Sequence, residues 1–105
     1  MRFLAYDLAI DLVRRLREPI AGIGHHNADL ARQVCRSLAS VPLNIAEASG
    51  RAGRDRLHLF RVALGSLREV GAALDTAAAF GWLDAVPCAA ERDRLCGMLY
   101  SLQRR

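Results

Sequence analysis

The stretch from Ser40 to Glu69 reads SVPLNIAEASGRAGRDRLHLFRVALGSLRE, and its reading decides the fold. SVPLNIAEA closes one helix, Ser49, Gly50 and Gly53 supply a glycine-rich turn, and LFRVALGSLREV returns as a second helix alongside the first. Asn44 and Glu47 stand three apart, as do Ser66 and Glu69, so each pair shares one helical face inside a mostly apolar segment. The remaining sequence packs around this hairpin.

Upstream, Leu30, Val34, Leu38, Val41, Ile45 and Ala48 recur at three-and-four spacing and predict a helix over about 27–48, with Asn27 as its N-cap. Pro42 lies inside it, lacks the N–H that would bond the Leu38 carbonyl, and is expected to bend the helix. Downstream, a third helix over about 55–79, capped or begun by Asp55, carries Leu57, Phe60, Leu64, Leu67, Gly71, Leu74 and Ala78 at a/d spacing. Leu59, Val62, Ala63, Val70, Ala73 and Ala77 widen that surface, so the helix wants neighbours on two sides. Its polar edge is Arg54, His58, Arg61, Arg68 and Asp75.

Residues 3–18 predict a first helix with two apolar flanks, Leu4, Leu8, Leu12 and Leu16 on one and Phe3, Tyr6, Ile10 and Val13 on the other. Pro19 is expected to end it, because the residue before a proline is pushed out of the α region, leaving EPIAGIGHHN as a connection. Phe80, Gly81, Trp82 and Leu83 read as an apolar turn plugging the bundle end. Pro87 is expected to begin a last helix buried through Leu95, Met98, Leu99 and Leu102, with Arg104 and Arg105 at the negative end of its dipole. Four helices with short connections predict a single all-α domain over residues 1–105, an up-down-up-down four-helix bundle. A chain of 105 residues is long enough to bury about 65% of its unfolded surface without staples.

The net charge is +4, and all fifteen basic residues are Arg. Guanidinium groups bind phosphate and carboxylate bidentately, which keeps nucleic acid among the expected partners. Cys35, Cys88 and Cys96 are odd in number and form no CxxC, which predicts free thiols and a cytoplasmic protein. Asp7 and Asp11 interrupt the apolar start, so it is not read as a signal peptide, and no uncharged apolar run reaches the ~18 residues of a membrane span.

Catalysis and cofactors are not expected. Di-metal sites of helical bundles need Glu followed three residues later by His, whereas Glu18, Glu47, Glu69 and Glu91 are followed at that offset by Ala21, Gly50, Ala72 and Arg94. His25 and His26 are adjacent, without a Cys or acidic ligand at zinc spacing. His58 lies about 10 Å along the bundle axis from Cys35 or Ser66, too far for proton transfer. The alternative for the polar residues is structural: with the two helices antiparallel about residue 51, Arg36 comes level with Glu69 and Glu47 with Arg56, which puts the Glu47 carboxylate near the turn that carries Arg51 and Arg56. Asn44 and Ser66 then satisfy partners in the interface, and Gly65 permits close backbone approach.

At these residues the sequence resembles the 23S rRNA intervening sequence proteins, small four-helix bundle proteins that include relatives of the accessory proteins of diversity-generating retroelements. The similarity runs from about Leu30 to Leu83. It rests on Gln33, Arg36, Asn44, Ile45, Ala46, Glu47, Arg51, Ala63, Gly65, Ser66 and Glu69, and on the closing Gly81, Trp82 and Leu83. Ala48 stands where that pattern has Gly, Trp82 where it has Tyr, and residues 19–27 lack its aromatic and acidic residues. The resemblance implies a ring-shaped homo-oligomer, a homopentamer, with nucleic-acid or ribonucleoprotein binding and no catalysis. Surplus apolar flanks on the first and third helices agree with oligomerisation.

The expected function is therefore low-specificity binding of RNA or DNA through Arg51, Arg54, Arg56 and Arg61, with Arg14, Arg15 and Arg17 as a second patch. Aromatic residues are too few for a stacking platform, which predicts poor base discrimination. Arg36, Asn44, Glu47, Gly65, Ser66 and Glu69 form the structural motif. The alternative is a protein-interaction module that binds a partner such as a reverse transcriptase without touching nucleic acid.

Overall fold

A computed structural model of the chain describes residues 3–104, which form four α-helices: α1 (Leu4–His26), α2 (Ala28–Ser49), α3 (Gly53–Ala79) and α4 (Ala89–Gln103). Each helix packs against the next, and α4 closes back on α1, so α1 and α3 occupy diagonal corners. The apolar periodicity places Leu12, Leu16 and Ile23 of α1, Val34, Val41 and Ile45 of α2, Phe60, Leu67, Val70 and Leu74 of α3, and Leu95 and Leu99 of α4 in one buried core. Most of the α2–α3 seam lies at this level, and it is the most extensive contact in the bundle. The role expected of Arg105 falls outside the described residues.

The first helix departs from expectation. It does not stop at Pro19 but runs on to His26 with the proline inside it. Ile20 and Ile23 continue the inward stripe of Leu12 and Leu16 and are buried. Burying two isoleucines stabilises by about 3–6 kcal/mol together, which matches or exceeds the ~3 kcal/mol cost of a proline within a helix. The segment read as a connection is therefore the last two turns of α1.

The connection to α2 shrinks to one residue, Asn27, whose extended backbone (φ −151°, ψ 101°) ends one helix and starts the next. Its backbone N–H donates to the Ile23 carbonyl at 2.8 Å, and its side-chain Oδ1 accepts from the Leu30 N–H at 2.9 Å. The expected N-cap is thus present, and it doubles as the cap of α1.

The turn after α2 is closed by the Gly50 N–H to the Glu47 carbonyl (3.2 Å) and the Arg51 N–H to the Ala48 carbonyl (3.1 Å). Gly53 then adopts φ +61°, a left-handed value that a glycine takes without a Cβ penalty. Helix α3 begins there, two residues before the expected start, and Asp55 sits in its first turn near the positive end of the helix dipole. The wide apolar surface of α3 is covered within the chain, by α2 on one side and α4 on the other.

Pro87 does not begin the last helix. Cys88 takes a left-handed backbone (φ 59°), and α4 starts at Ala89, with the Cys88 carbonyl accepting from the Arg92 N–H at 2.9 Å. Leu95 and Leu99 are fully buried, whereas Met98 and Leu102 are only half-buried against the core. The Arg92 side chain folds back to the Pro87 carbonyl (Nε to O, 3.3 Å) and lies across Gly71, where an added Cβ would meet its Nη1 at 2.8 Å. Phe80 does not plug the bundle end as expected. It is 66% exposed and stacks on the half-buried Trp82.

Replacing Pro19 by Ala restores a backbone donor to the Arg15 carbonyl without altering the buried stripe. Pro19→Ala should raise stability by about 1–3 kcal/mol in urea unfolding. An unchanged or lowered midpoint would mean that the helix gains nothing from the restored hydrogen bond.

Candidate nucleic-acid interface

The α2–α3 hairpin holds most of the polar residues singled out in the sequence and divides them into a seam and a surface. In the seam, Ser37 Oγ donates to Glu69 Oε2 at 3.0 Å, and the Ser40 and Ser66 hydroxyls are 2.8 Å apart. Asn44 Nδ2 donates to the Ser40 carbonyl (2.8 Å) and lies 2.9 Å from its Oγ. Ser66 and Asn44 are satisfied as expected, but Ser37 replaces Arg36 as the partner of Glu69. The phase of α2 explains the change. Ser37 lies between Val34, Leu38 and Val41, all buried, whereas Arg36 falls on the exposed face.

Gly65 is exposed, and a Cβ built on it would meet nothing within 4 Å, so no close backbone approach within the chain accounts for it. Glu47 is exposed and binds Arg51 one turn on (Oε1 to Nη2, 2.6 Å), while Arg51 also lies 3.8 Å from Asp55. Arg56 is not the partner of Glu47. Its guanidinium sits over the rings of Phe60 (5.1 Å) and Phe3 (5.7 Å), which are themselves in edge contact at 5.9 Å, and it reaches the Ala48 carbonyl at 3.5 Å. Half-buried and held by two rings, it closes the apolar end of the hairpin.

The surface of α3 is different in character. Arg54 and Arg61 are exposed and seven residues apart, two helical turns, and the same ridge carries His58 and Arg68, both exposed. The row spans about 21 Å from Arg54 to Arg68 at the α-helical rise. No acid interrupts it: Asp55 turns toward Arg51, and Glu69 is held at the α2 seam by Ser37. The seven-residue recurrence of Arg was the signal for Arg68. Arg51 and Arg56, expected in the same patch, face other partners.

The second expected patch lies on α1, at the corner diagonal to α3. Arg15 is engaged by Asp11 (Nε to Oδ2, 2.7 Å) and approaches Glu91 of α4 at 3.5 Å. The Asp11 hydrogen bond and charge hold its guanidinium above the usual arginine value. Arg14 and Arg17 are exposed, with Asp11 and Glu18 interspersed. Arg17 also borders a shallow apolar groove between α1 and α2 formed by Val13, Ile20, Ala21, Cys35, Leu38 and Ala39. The patch is mixed in sign, where the α3 row is not.

Neither histidine of the His25–His26 pair joins a metal-like cluster, and among the described residues no group of three or more His, Cys, Asp or Glu could hold a metal ion. His26 instead stacks on Trp82 (5.9 Å between ring centres, 6° between planes). Burial pushes the thiols of Cys88 and Cys96 up, with the charge of Arg68 acting in the opposite sense on Cys96, and Cys35 is exposed. Among the described residues no helix is long and apolar enough to cross a membrane.

A family model described as 23S rRNA-intervening sequence protein matches residues 2–101. No curated protein and no solved structure matches the chain.

The seam and the surface differ in energetic weight. Ser66→Ala should cost about 1 kcal/mol, because it removes a cross-helix partner from the half-buried Ser40 hydroxyl. Glu47→Ala should cost less than about 0.5 kcal/mol, because both members of its ion pair are at least half exposed. Urea unfolding of the two variants checks the order, and a larger loss for Glu47→Ala would reverse it.

Proposed function

The chain belongs to the 23S rRNA-intervening sequence protein family, and we propose that it is a non-catalytic, cytoplasmic, homo-oligomeric bundle that binds RNA or DNA with little sequence preference. The observation that carries this reading is the uninterrupted basic row Arg54, His58, Arg61 and Arg68 on the outer ridge of α3. Guanidinium groups spaced along a rigid helix neutralise phosphates without reading bases, which gives affinity without selectivity. Arg51 stands at the head of the row but is shared with Glu47 and Asp55, so it contributes less. Assembly supplies strength. Each chain carries +4, and a ring of five presents the row five times to one polyanion, raising the effective concentration of each contact.

The apolar surface for such assembly is the α1–α2 face. There Leu43 is 67% exposed, and Ala21, Cys35 and Ala39 are exposed beside the groove. The same face favours the second reading, in which the bundle binds another protein, such as a reverse transcriptase, and does not touch nucleic acid. Light scattering should give a mass of several chains, five being expected. A concentration-independent mass near 11.5 kDa would exclude self-assembly.

Fluorescence anisotropy of a labelled RNA at several salt concentrations tests the binding itself. Log affinity should fall against log salt with a slope of about −0.7 per neutralised phosphate for a single strand or about −0.9 for duplex DNA. The double variant Arg54→Glu, Arg61→Glu should weaken binding at least about tenfold and flatten the slope, while Arg14→Glu should change it little. Absence of binding at low salt, or indifference to both salt and charge reversal, would favour the protein-interaction reading.

A further inference from the structure

Beyond Arg68 the exposed surface of α3 carries Ala72, Asp75, Thr76 and Ala79 before Phe80 at the C-cap, so the basic row ends at Arg68 and Asp75 stands two turns past it. Thr76 is turned inward on its own helix, its Oγ1 donating to the Ala72 carbonyl at 2.7 Å. Phe80 lies about 18 Å beyond Arg68 at the α-helical rise. Its ring is nearly parallel to that of Trp82 (4.5 Å between centres, 9° between planes), and Trp82 is in turn nearly parallel to His26 (5.9 Å, 6°). Three rings thus form a column with the half-buried Trp82 in the middle and Phe80 outermost. Phe80 is 66% exposed although one face is covered by Trp82, which leaves its other face open to solvent.

An exposed, pre-stacked aromatic ring beyond a cationic row, with Asp75 between the two, supplies the parts of a single-strand site: charge that tracks a backbone, and a π-face that receives a base. We propose that the chain binds single-stranded nucleic acid, with phosphates along Arg54, Arg61 and Arg68 and one unpaired nucleobase stacked on the open face of Phe80. This rests on the nucleic-acid reading given above and narrows it to strands with unpaired bases, because a duplex keeps its base faces hidden. The site holds the ring ready before binding: Trp82 is anchored by its backbone N–H to the Ala77 carbonyl (2.9 Å) and backed by His26, so little ordering accompanies stacking. One ring selects for an exposed base and not for its identity, since every base has a π-face.

The test compares anisotropy titrations of a labelled single strand of about ten nucleotides with a duplex of the same length, for the wild-type chain and Phe80 variants. The single strand should bind more tightly than the duplex. Phe80→Ala should weaken it by about fivefold to a hundredfold while leaving the duplex unchanged, and Phe80→Tyr should retain wild-type affinity. Phe80→Leu keeps apolar bulk without the π-face and should behave as Phe80→Ala does, which guards against a folding artefact in the alanine variant. Trp82 is the only tryptophan, so its emission should change with the single strand and stay constant with inorganic polyphosphate, which offers charge without bases. If Phe80→Ala binds the single strand as tightly as wild type while Arg61→Glu weakens it, the basic row stands and the stacking site falls. Tighter binding of the duplex also overturns the stacking site, and binding of neither strand nor duplex removes both readings.

Discussion

The structure depends on the seam between α2 and α3, where two amphipathic helices pack closely enough for serine hydroxyls to meet at 2.8 Å. A hydroxyl has short reach, so a Ser–Ser pair holds only when the helix axes are near and the register is set. The Ser37–Glu69 contact one turn away fixes the same register from a second point. Polar contacts of this kind add about 1 kcal/mol each, far less than the burial of Phe60, Leu67, Leu74, Ile45 and Val41 beside them. Their importance lies in selecting one alignment among the several that a smooth apolar interface would accept, since a slip leaves half-buried hydroxyls without partners.

That alignment organises what faces outward. With Ser66 and Glu69 turned to α2, and Gly71 turned to α4 beneath the Arg92 guanidinium, α3 has one free ridge, and it carries Arg54, His58, Arg61, Arg68 and, past them, Asp75. Three acidic residues are drawn off to other partners: Glu47 to Arg51, Asp11 and Glu91 to Arg15. A modest net charge of +4 is thereby sorted into a stripe that is one-signed from Arg54 to Arg68, with Asp75 beyond it, at one corner of the bundle and a mixed surface at the diagonal corner.

Much of this was legible in the residues. The three-and-four spacing of Leu30, Val34, Leu38, Val41 and Ile45 defines α2, the a/d run from Leu57 to Ala78 defines α3, and Asn27 is recognisable as a cap because its side chain suits an N-terminus. At Pro19 a local rule about the residue before proline competes with burial within the next turn, and Ile20 and Ile23 decide the contest. Arg36 and Glu69 do not meet because Arg36 falls on the exposed face of α2 while Ser37 faces the seam. The hairpin is centred on residue 53, as the Ser37–Glu69 and Ser40–Ser66 pairs show, and not on 51. The inward phase of Ser37 was available from its flanking residues, whereas the stacking of His26, Trp82 and Phe80 joins residues 26, 80 and 82 and has no local sequence signature.

Asn27 carries a consequence for how the chain tolerates change in length. A single residue serves as the end of α1 and the start of α2, with its backbone and its side chain both committed to hydrogen bonds. The α1–α2 corner therefore has no slack: one inserted residue would rotate α2 by about 100° against α1 and carry Val34 and Leu38 off the core. The turn before Gly53 is scarcely looser. Length variation, grafted epitopes and protease access are thus directed to the segment between Ala79 and Ala89, where the described chain runs longest without a helix.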